Sequence, residues 1–343
     1  MSEKHFETAK DTVEINKPVG TVTIEPMHHL EHYWQDARTA LKWDCLFMLP
    51  QWLGVWWSSF GKGLETHLFV VRHHDALLGI APLAVSEHTA YLIGDSALID
   101  YADFIVAPTR HQEFFSTLCN YLRHEDVSRF DTGRVRVDST VVSCLQAYSA
   151  PLGCKVSCRP VDVLFEMNLP DTWEGYLDLL SGKERHETLR KLRRLERADH
   201  FNVRVIEDKA VVSAAMDTFV TLFQSNRIEK KQFMAGSIET FFRSLAVRMA
   251  EEGLLKLFFL ELNGTSTSVA MCFDYSSTVY LYNNGYDQRF SNLSVGLMSK
   301  VFSIRESIML GRKKYNFLRG SEPYKRRLGG RPVELCHCEV ILK

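Results

Sequence analysis

The sequence predicts an α/β (α+β) protein made of two similar units, each a mixed twisted sheet flanked by helices. Three observations predict it. Helices, then a run of strands, then a helix and a strand occur in that order twice along the chain. Pro170 breaks the pattern between the two series, so the join is expected near 165–172. A chain of 343 residues, 45% of them hydrophobic, is comfortable for two cores. The expected division is a polar tail at 1–20, a first unit at 21–168 and a second at 169–343. No direct sequence repeat is visible.

Residues 1–20 are polar and without periodicity, which predicts a loose tail. A first strand is expected at 22–24 and a helix at 29–42. Pro50–Phe60 reads as a helix with its proline at the start. Strands follow at 64–72, 77–85 and 90–93, a helix at 112–123 and a strand at 163–167. The second series has helices at 172–180 and 183–197 and a strand at 202–206. Helices near 210–225 and 237–251 follow, then strands at 254–261, 267–275 and 278–284. In the last strand Val279, Leu281 and Asn283 point one way, and Tyr280, Tyr282 and Asn284 the other. Gly285 to Gln288 end it. Ser294 is a good N-cap residue, and Leu297, Val301, Ile304, Ile308 and Met309 recur at helical spacing. Gly311 sits where a C-cap glycine belongs.

Composition excludes some functions. Net charge is −1, so no global field favours DNA or an anionic membrane. No apolar run resembles a signal peptide or a membrane span, which predicts a cytoplasmic chain. The eight cysteines are scattered, which predicts reduced and mostly buried thiols. Cys154-x3-Cys158 and Cys336-His337-Cys338 lack zinc spacing, so no metal is expected.

The start of the helix after Ser294 offers unpaired N–H groups and a positive dipole end, which suits a donor phosphate on Ser294, Val295 and Gly296. Gly296 lacks a side chain, which would let a ligand approach the backbone. The plainer reading is an ordinary strand-to-helix connection.

The wording around this unit carries a resemblance. "YNNGYDQRF" with Ser294-x-Gly296, then "YNFLRGSEPYKRRLGG", resembles the CelD/BcsL-type proteins, a GNAT-like acyltransferase family tied to polysaccharide biosynthesis. The same end resembles the FemABX aminoacyltransferases, with an aromatic-lysine pair before a glycine-containing turn. "FMLPQWLGVWW" (47–57), "IDYADFIVAP" (99–108) and "SGKERHETLRKLRRLER" (181–197) stand in the order of the CelD-like group. The resemblance covers roughly residues 22–343. It implies tandem GNAT-like domains and an acyl-CoA donor. It implies a small-molecule or sugar-type acceptor, with possible association with a polysaccharide synthesis complex as in cellulose biosynthesis. One departure stands out. The usual pyrophosphate signature, Arg/Gln-x-x-Gly-x-Gly/Ala, is incomplete: Arg289 lies too far ahead of Gly296, and no second glycine follows. The alternatives are aminoacyl transfer from charged tRNA, and a non-catalytic partner of a polysaccharide synthase. Near-zero net charge gives little pull on tRNA.

Acyl transfer needs a deprotonated nucleophile, a group for the carbonyl oxyanion and a proton for the leaving group. Lys325, on a flexible stem in the C-terminal loop, suits the oxyanion. Glu322 suits proton uptake, and Tyr324 or Tyr282 proton donation. Asp100, Tyr101 and Asp103 form a short acidic element, where two close carboxylates would raise one pKa toward neutrality. Turn chemistry is the plainer reading. Trp52, Trp56 and Trp57 suit sugar stacking or a hydrophobic helix face, the latter preferred for Trp56. In the basic helix, Arg185 and Arg190 are chosen for donor phosphate against a solvated face with Glu184, Glu187 and Glu196. Arg227 suits an anionic acceptor. The family-like strand and loop add Asn284 to the donor set and Tyr286 and Asp287 to the acceptor set.

Overall fold

A computed structural model describes residues 20–62, 66–94, 97–198, 200–225 and 228–342. The first half contributes β1 (Thr21–Glu25), α1 (Leu30–Asp36), α2 (Pro50–Phe60), β2 (Thr66–His73), β3 (Ala76–Ser86), β4 (Thr89–Leu92) and β5 (Ile105–Val106). It continues with α3 (His111–His124), β6 (Arg129–Arg136), α4 (Gln146–Tyr148) and β7 (Lys155–Asn168). The second half contributes α5 (Trp173–Leu179), α6 (Gly182–Glu196), β8 (Phe201–Ile206), α7 (Lys209–Gln224), α8 (Ile228–Phe233) and α9 (Ser237–Glu251). Then come β9 (Leu255–Leu262), β10 (Thr265–Tyr275), β11 (Thr278–Tyr286), α10 (Val295–Met309), β12 (Lys314–Arg319), α11 (Pro323–Arg327) and β13 (Arg331–Ile341).

One large mixed sheet runs β1-β2-β3-β4-β6-β13-β7-β12-β11-β10-β9-β8, with β5 off the path against β3. Its two ends repeat one topology. β1 to β4 form an antiparallel meander, and α3 leads across to β6, parallel to β4. β8 to β11 form the same meander, and α10 leads across to β12, parallel to β11. The closing strands are exchanged. β7 follows β6 in sequence but pairs with β12, while β13 follows β12 but pairs with β6. β7 and β13 pair antiparallel in the middle.

The repeat leaves two wedges. β4 meets β6 only through Thr89–Tyr91 and Arg129–Asp131. β11 meets β12 only through Thr278–Tyr280 and Lys314–Asn316. Beyond these pairs the strands part, and backbone groups freed by the split need other partners.

Alternation in β11 is as expected through Tyr282, but a register shift against Met271 and Cys272 then turns Asn284 to the other side, where it meets Lys300 of α10. Val279 and Leu281 join one core cluster, while Tyr280 and Tyr282 pack with the cluster on the other face. The α10 C-terminus closes as a Schellman motif: Gly311 (φ +67°) donates to Ile308 O, and Arg312 N to Ser307 O, both at 2.9 Å. Thr172 and Ser181 cap α5 and α6 through their side chains.

Several expectations need correction. The helix expected at 29–42 ends at Asp36. The strand expected at 278–284 runs on to Tyr286, because its last residues keep pairing with β10. Not all cysteines are free: Cys158 and Cys338 face each other across β7 and β13 and are disulfide-bonded. Their separation of 180 residues gave no local spacing to read. Among the described residues, no helix is long and apolar enough to cross a membrane.

Candidate functional site

The second wedge is closed by lysines rather than by strand pairing. Near the end of β12 the strand bulges: register shifts between Asn316 and Leu318, and Leu318 takes a left-handed conformation (φ +59°). Asn316 Oδ1 accepts from Leu318 N at 2.8 Å and holds the bulge. That strain is the kind stored at working sites. α11 then turns back with Pro323 in its first turn and inserts Lys325.

Lys325 is therefore not in a loop on a flexible stem, as expected from sequence, but in a helix. It lies in α11 with 2% of its surface exposed. Its Nζ donates to Leu318 O at 3.0 Å and to Arg319 O, and is ion-paired to Glu322 Oε2 at 3.0 Å. Burial draws its pKa down, against the pull of Glu322. Glu322 sits at the α11 N-cap position with its side chain half exposed. Tyr324 is half-buried, and burial pushes its hydroxyl pKa well up.

Two further lysines meet this cluster, and neither was singled out from sequence. Lys300 of α10 is 4% exposed; its Nζ donates to Asn284 Oδ1 at 3.0 Å and Gly296 O at 2.6 Å, and lies 4.8 Å from the Tyr324 ring centroid. Lys230 of α8 donates to Asn284 O at 2.6 Å. Burial first, and Lys230 next, draw the Lys300 pKa down to about 7. The signal for Lys300 was present but faint: a lysine four residues after Gly296, on a stripe of small residues continued by Ser303 and Ser307.

The first half supplies a carboxylate to this wedge. Asp100 Oδ2 accepts from Arg319 N at 2.9 Å, and Oδ1 lies 3.5 Å from the Arg319 guanidinium. Burial raises the Asp100 pKa, with Arg319 and Lys325 opposing. Asp103 does not join it. Its carboxylate accepts from Thr140 N and Oγ1 and Phe104 N, and burial lifts its pKa to about 6. Burial rather than a paired carboxylate is the main cause of that rise, and Asp138 adds to it. Tyr101 is buried, stacked edge-on to Phe47 at 5.1 Å.

The α10 start differs from expectation. Ser294 stands at the N-cap position but makes no side-chain cap bond; its left-handed backbone (φ 56°, ψ 33°) is not the extended form capping needs. Asp287 caps the preceding turn instead, accepting from Arg289 N at 2.9 Å, and pairs with the Arg289 guanidinium. The space above Gly296 is taken. A Cβ there would lie 2.5 Å from the Tyr286 ring, so the missing side chain admits that ring rather than a ligand. Val295 is buried, and its carbonyl accepts from Ser268 at 3.0 Å.

Other expected site residues lie elsewhere. Trp52 is fully buried against Phe47, Phe273 and Tyr282, so it cannot stack on a sugar. Tyr282 donates to Leu98 O at 3.0 Å, fixing the first-half loop to β11. Arg185 and Arg190 are exposed on α6 and paired with Asp178 and Glu187. Arg227 lies outside the described residues. Among the described residues, Asp131, His337 and Glu339 bring oxygen and nitrogen atoms within 4.8 Å of one another. His337 already pairs with Asp131 at 2.8 Å, and Glu339 with Arg129 at 2.7 Å.

Lys325 has all three N–H groups engaged, by Leu318 O, Arg319 O and Glu322, and of these partners only the Glu322 side chain is half exposed. A family model described as "Acetyltransferase (GNAT) domain" matches residues 182–326. No curated protein matches the chain. Among solved structures, FemX is similar at TM-score 0.62 and 14% identity, over 85% of this chain and 91% of that one. A conserved protein of unknown function from Bacteroides thetaiotaomicron is similar at 0.59 and 11%, over 93% and 99%. L-PGS from Bacillus licheniformis is similar at 0.53 and 10%, over 81% and 84%. The chain thus has a GNAT-like acyltransferase fold.

Proposed function

We propose that this chain is an acyltransferase with its reaction centre in the β11–β12 wedge. The observation that carries this reading is the buried lysine pair, Lys325 and Lys300, held beneath the split strands within the GNAT-matching segment. Lys325 stabilises the carbonyl oxyanion once the substrate displaces its exposed partner Glu322, and Asp100 and Arg319 fix the end of β12 around it. The donor is an acyl-CoA and the acceptor an amine or hydroxyl of a polysaccharide or cell-envelope precursor, as in the CelD/BcsL-type group. The two units divide near residue 168, and the second carries the donor site.

A second donor has its own support. Tyr286 covers Gly296, the pyrophosphate signature is incomplete, and the fold is similar to that of FemX. These favour an aminoacyl ester of tRNA. A thermal-shift panel of acyl-CoAs from acetyl to long-chain separates the two. A shift that depends on chain length establishes the CoA donor. A flat panel with transfer from charged tRNA establishes the second, and neither result removes the acyltransferase reading.

A further inference from the structure

We infer that Lys300 is the proton acceptor of the reaction centre: a neutral buried amine that takes the proton of the attacking amine or hydroxyl. This inference rests on the acyltransferase reading. Its geometric basis is the number of protons Nζ has to place. A neutral amine has two N–H groups and one lone pair. Nζ makes two donations, to Asn284 Oδ1 at 3.0 Å and Gly296 O at 2.6 Å. Both acceptors are neutral. An ammonium would have a third proton to place, and among the described residues the contact left for it is the Tyr324 ring at 4.8 Å.

Magnitudes decide between the forms. A cation over an aromatic ring gains less than burying an ammonium without a carboxylate in contact costs. The charged and titratable groups facing Lys300 are Lys230 from α8, Cys272 from β10, and Glu322, Tyr324 and Lys325 from α11. Lys230 and Lys325 oppose an ammonium. Cys272 and Glu322 favour one, but burial pushes the Cys272 thiol up to about 12, and Glu322 is half exposed and already bridged to Lys325. The balance holds Lys300 near pKa 7. A base poised there is matched to neutral-pH proton transfer. Asn284 and Tyr324 are themselves half-buried, which puts the amine one side-chain layer below the surface.

The step balances. The acceptor N or O bonds to the acyl carbon as its proton moves to Lys300 Nζ. The acyl C–S bond of a thioester, or C–O bond of an aminoacyl ester, breaks. The Lys300 ammonium then returns the proton to the leaving thiolate or oxygen.

The test compares wild type, Lys300→Arg and Lys300→Ala with labelled acyl-CoA and aminoacyl-tRNA, from pH 5.5 to 9. Wild type is expected to show an acid limb in kcat/KM with a midpoint near 7. Lys300→Arg, which keeps a charge but no base, is expected to lose about 100-fold or more in kcat/KM and to lose the limb. Added methylamine is expected to restore part of the activity of Lys300→Ala, which a merely structural role would not allow. An unchanged limb in Lys300→Arg, or no amine rescue of a folded Lys300→Ala, overturns the inference. If no donor supports transfer by wild type, the acyltransferase reading itself fails. The amine is then read separately by NMR of 13Cε-lysine, assigned with Lys300→Arg. A Lys300 signal titrating near 7 keeps the neutral amine, and one titrating above about 9.5 overturns it.

Discussion

The two wedges arise from one topology and are closed by different chemistry. At β4–β6 the gap is bridged by backbone. Ala102 forms a bridge with Val135 and donates to Arg134 O at 2.9 Å, and Asp103 is saturated by Thr140 and Phe104. A cavity of about 260 Å³ remains, lined by Leu92, Tyr101, Gly133, Arg134, Asp162 and His337 among others. At β11–β12 the gap is filled by α11, and carbonyls of Leu318, Asn284 and Gly296 accept from lysine amines. The lesson is about what a split sheet needs. Backbone partners end the matter, since each N–H and C=O pair is neutral. Lysines satisfy the same carbonyls but carry charge into a dry site, where pKa values move toward the pH at which they can act.

The largest effect that sharpens this comparison lies between the wedges. Trp52 joins α2 to Tyr282 of β11 as a fully buried side chain. Trp52→Ala is expected to cost about 3–5 kcal/mol in urea unfolding. A cost under about 0.5 kcal/mol would return Trp52 to the surface role expected from sequence.

Lys325→Ala comes next. It leaves the Leu318 and Arg319 carbonyls without their donor and should cost about 1–3 kcal/mol. Transfer activity should fall by about 100-fold or more, well beyond the fraction of protein unfolded. Loss of stability with full specific activity would break the assignment of chemistry to the second wedge.

The wedges should also titrate with opposite sign. The folded pKa of Asp103, about 6, lies above its unfolded value, so the folded state holds the extra proton. Its contribution to stability falls as pH rises from about 4 to 6. The folded pKa of Lys300, about 7, lies below its unfolded value, so the unfolded state holds the extra proton. Its contribution rises with pH from about 7 to 10.5. Each slope is at most about 1.4 kcal/mol per pH unit. Asp103→Asn should flatten the acid window alone, and Lys300→Met the alkaline one alone. Unfolding curves across pH in which either variant alters both windows would contradict two independent wedges.

The smallest effect belongs outside both. Arg190 pairs with Glu187 on an exposed face of α6, so Arg190→Ala should change stability by about 0.5 kcal/mol or less. A large rise in donor KM would restore the phosphate role that the basic run suggests.

Local order was legible in the sequence because it depends on local chemistry. Pro50 started α2, Gly311 ended α10, and alternation through Tyr282 divided the faces of β11 between two cores. Lys325 and Asp100 were also singled out, since charged residues in a motif can be noticed before their partners are known. The tertiary structure decided the rest. Strand exchange of β7 and β13 depends on pairing across the whole chain, as does the Cys158–Cys338 bond. Gly296 and Tyr286 are ten residues apart, yet only folding sets the ring over the glycine. Lys300 reads as one more lysine in a helix. It becomes chemically distinct only when β11, α8 and α11 take it out of water and set two other lysines beside it. Charge state depends on burial and neighbours, and these belong to the packed fold rather than to the order of residues.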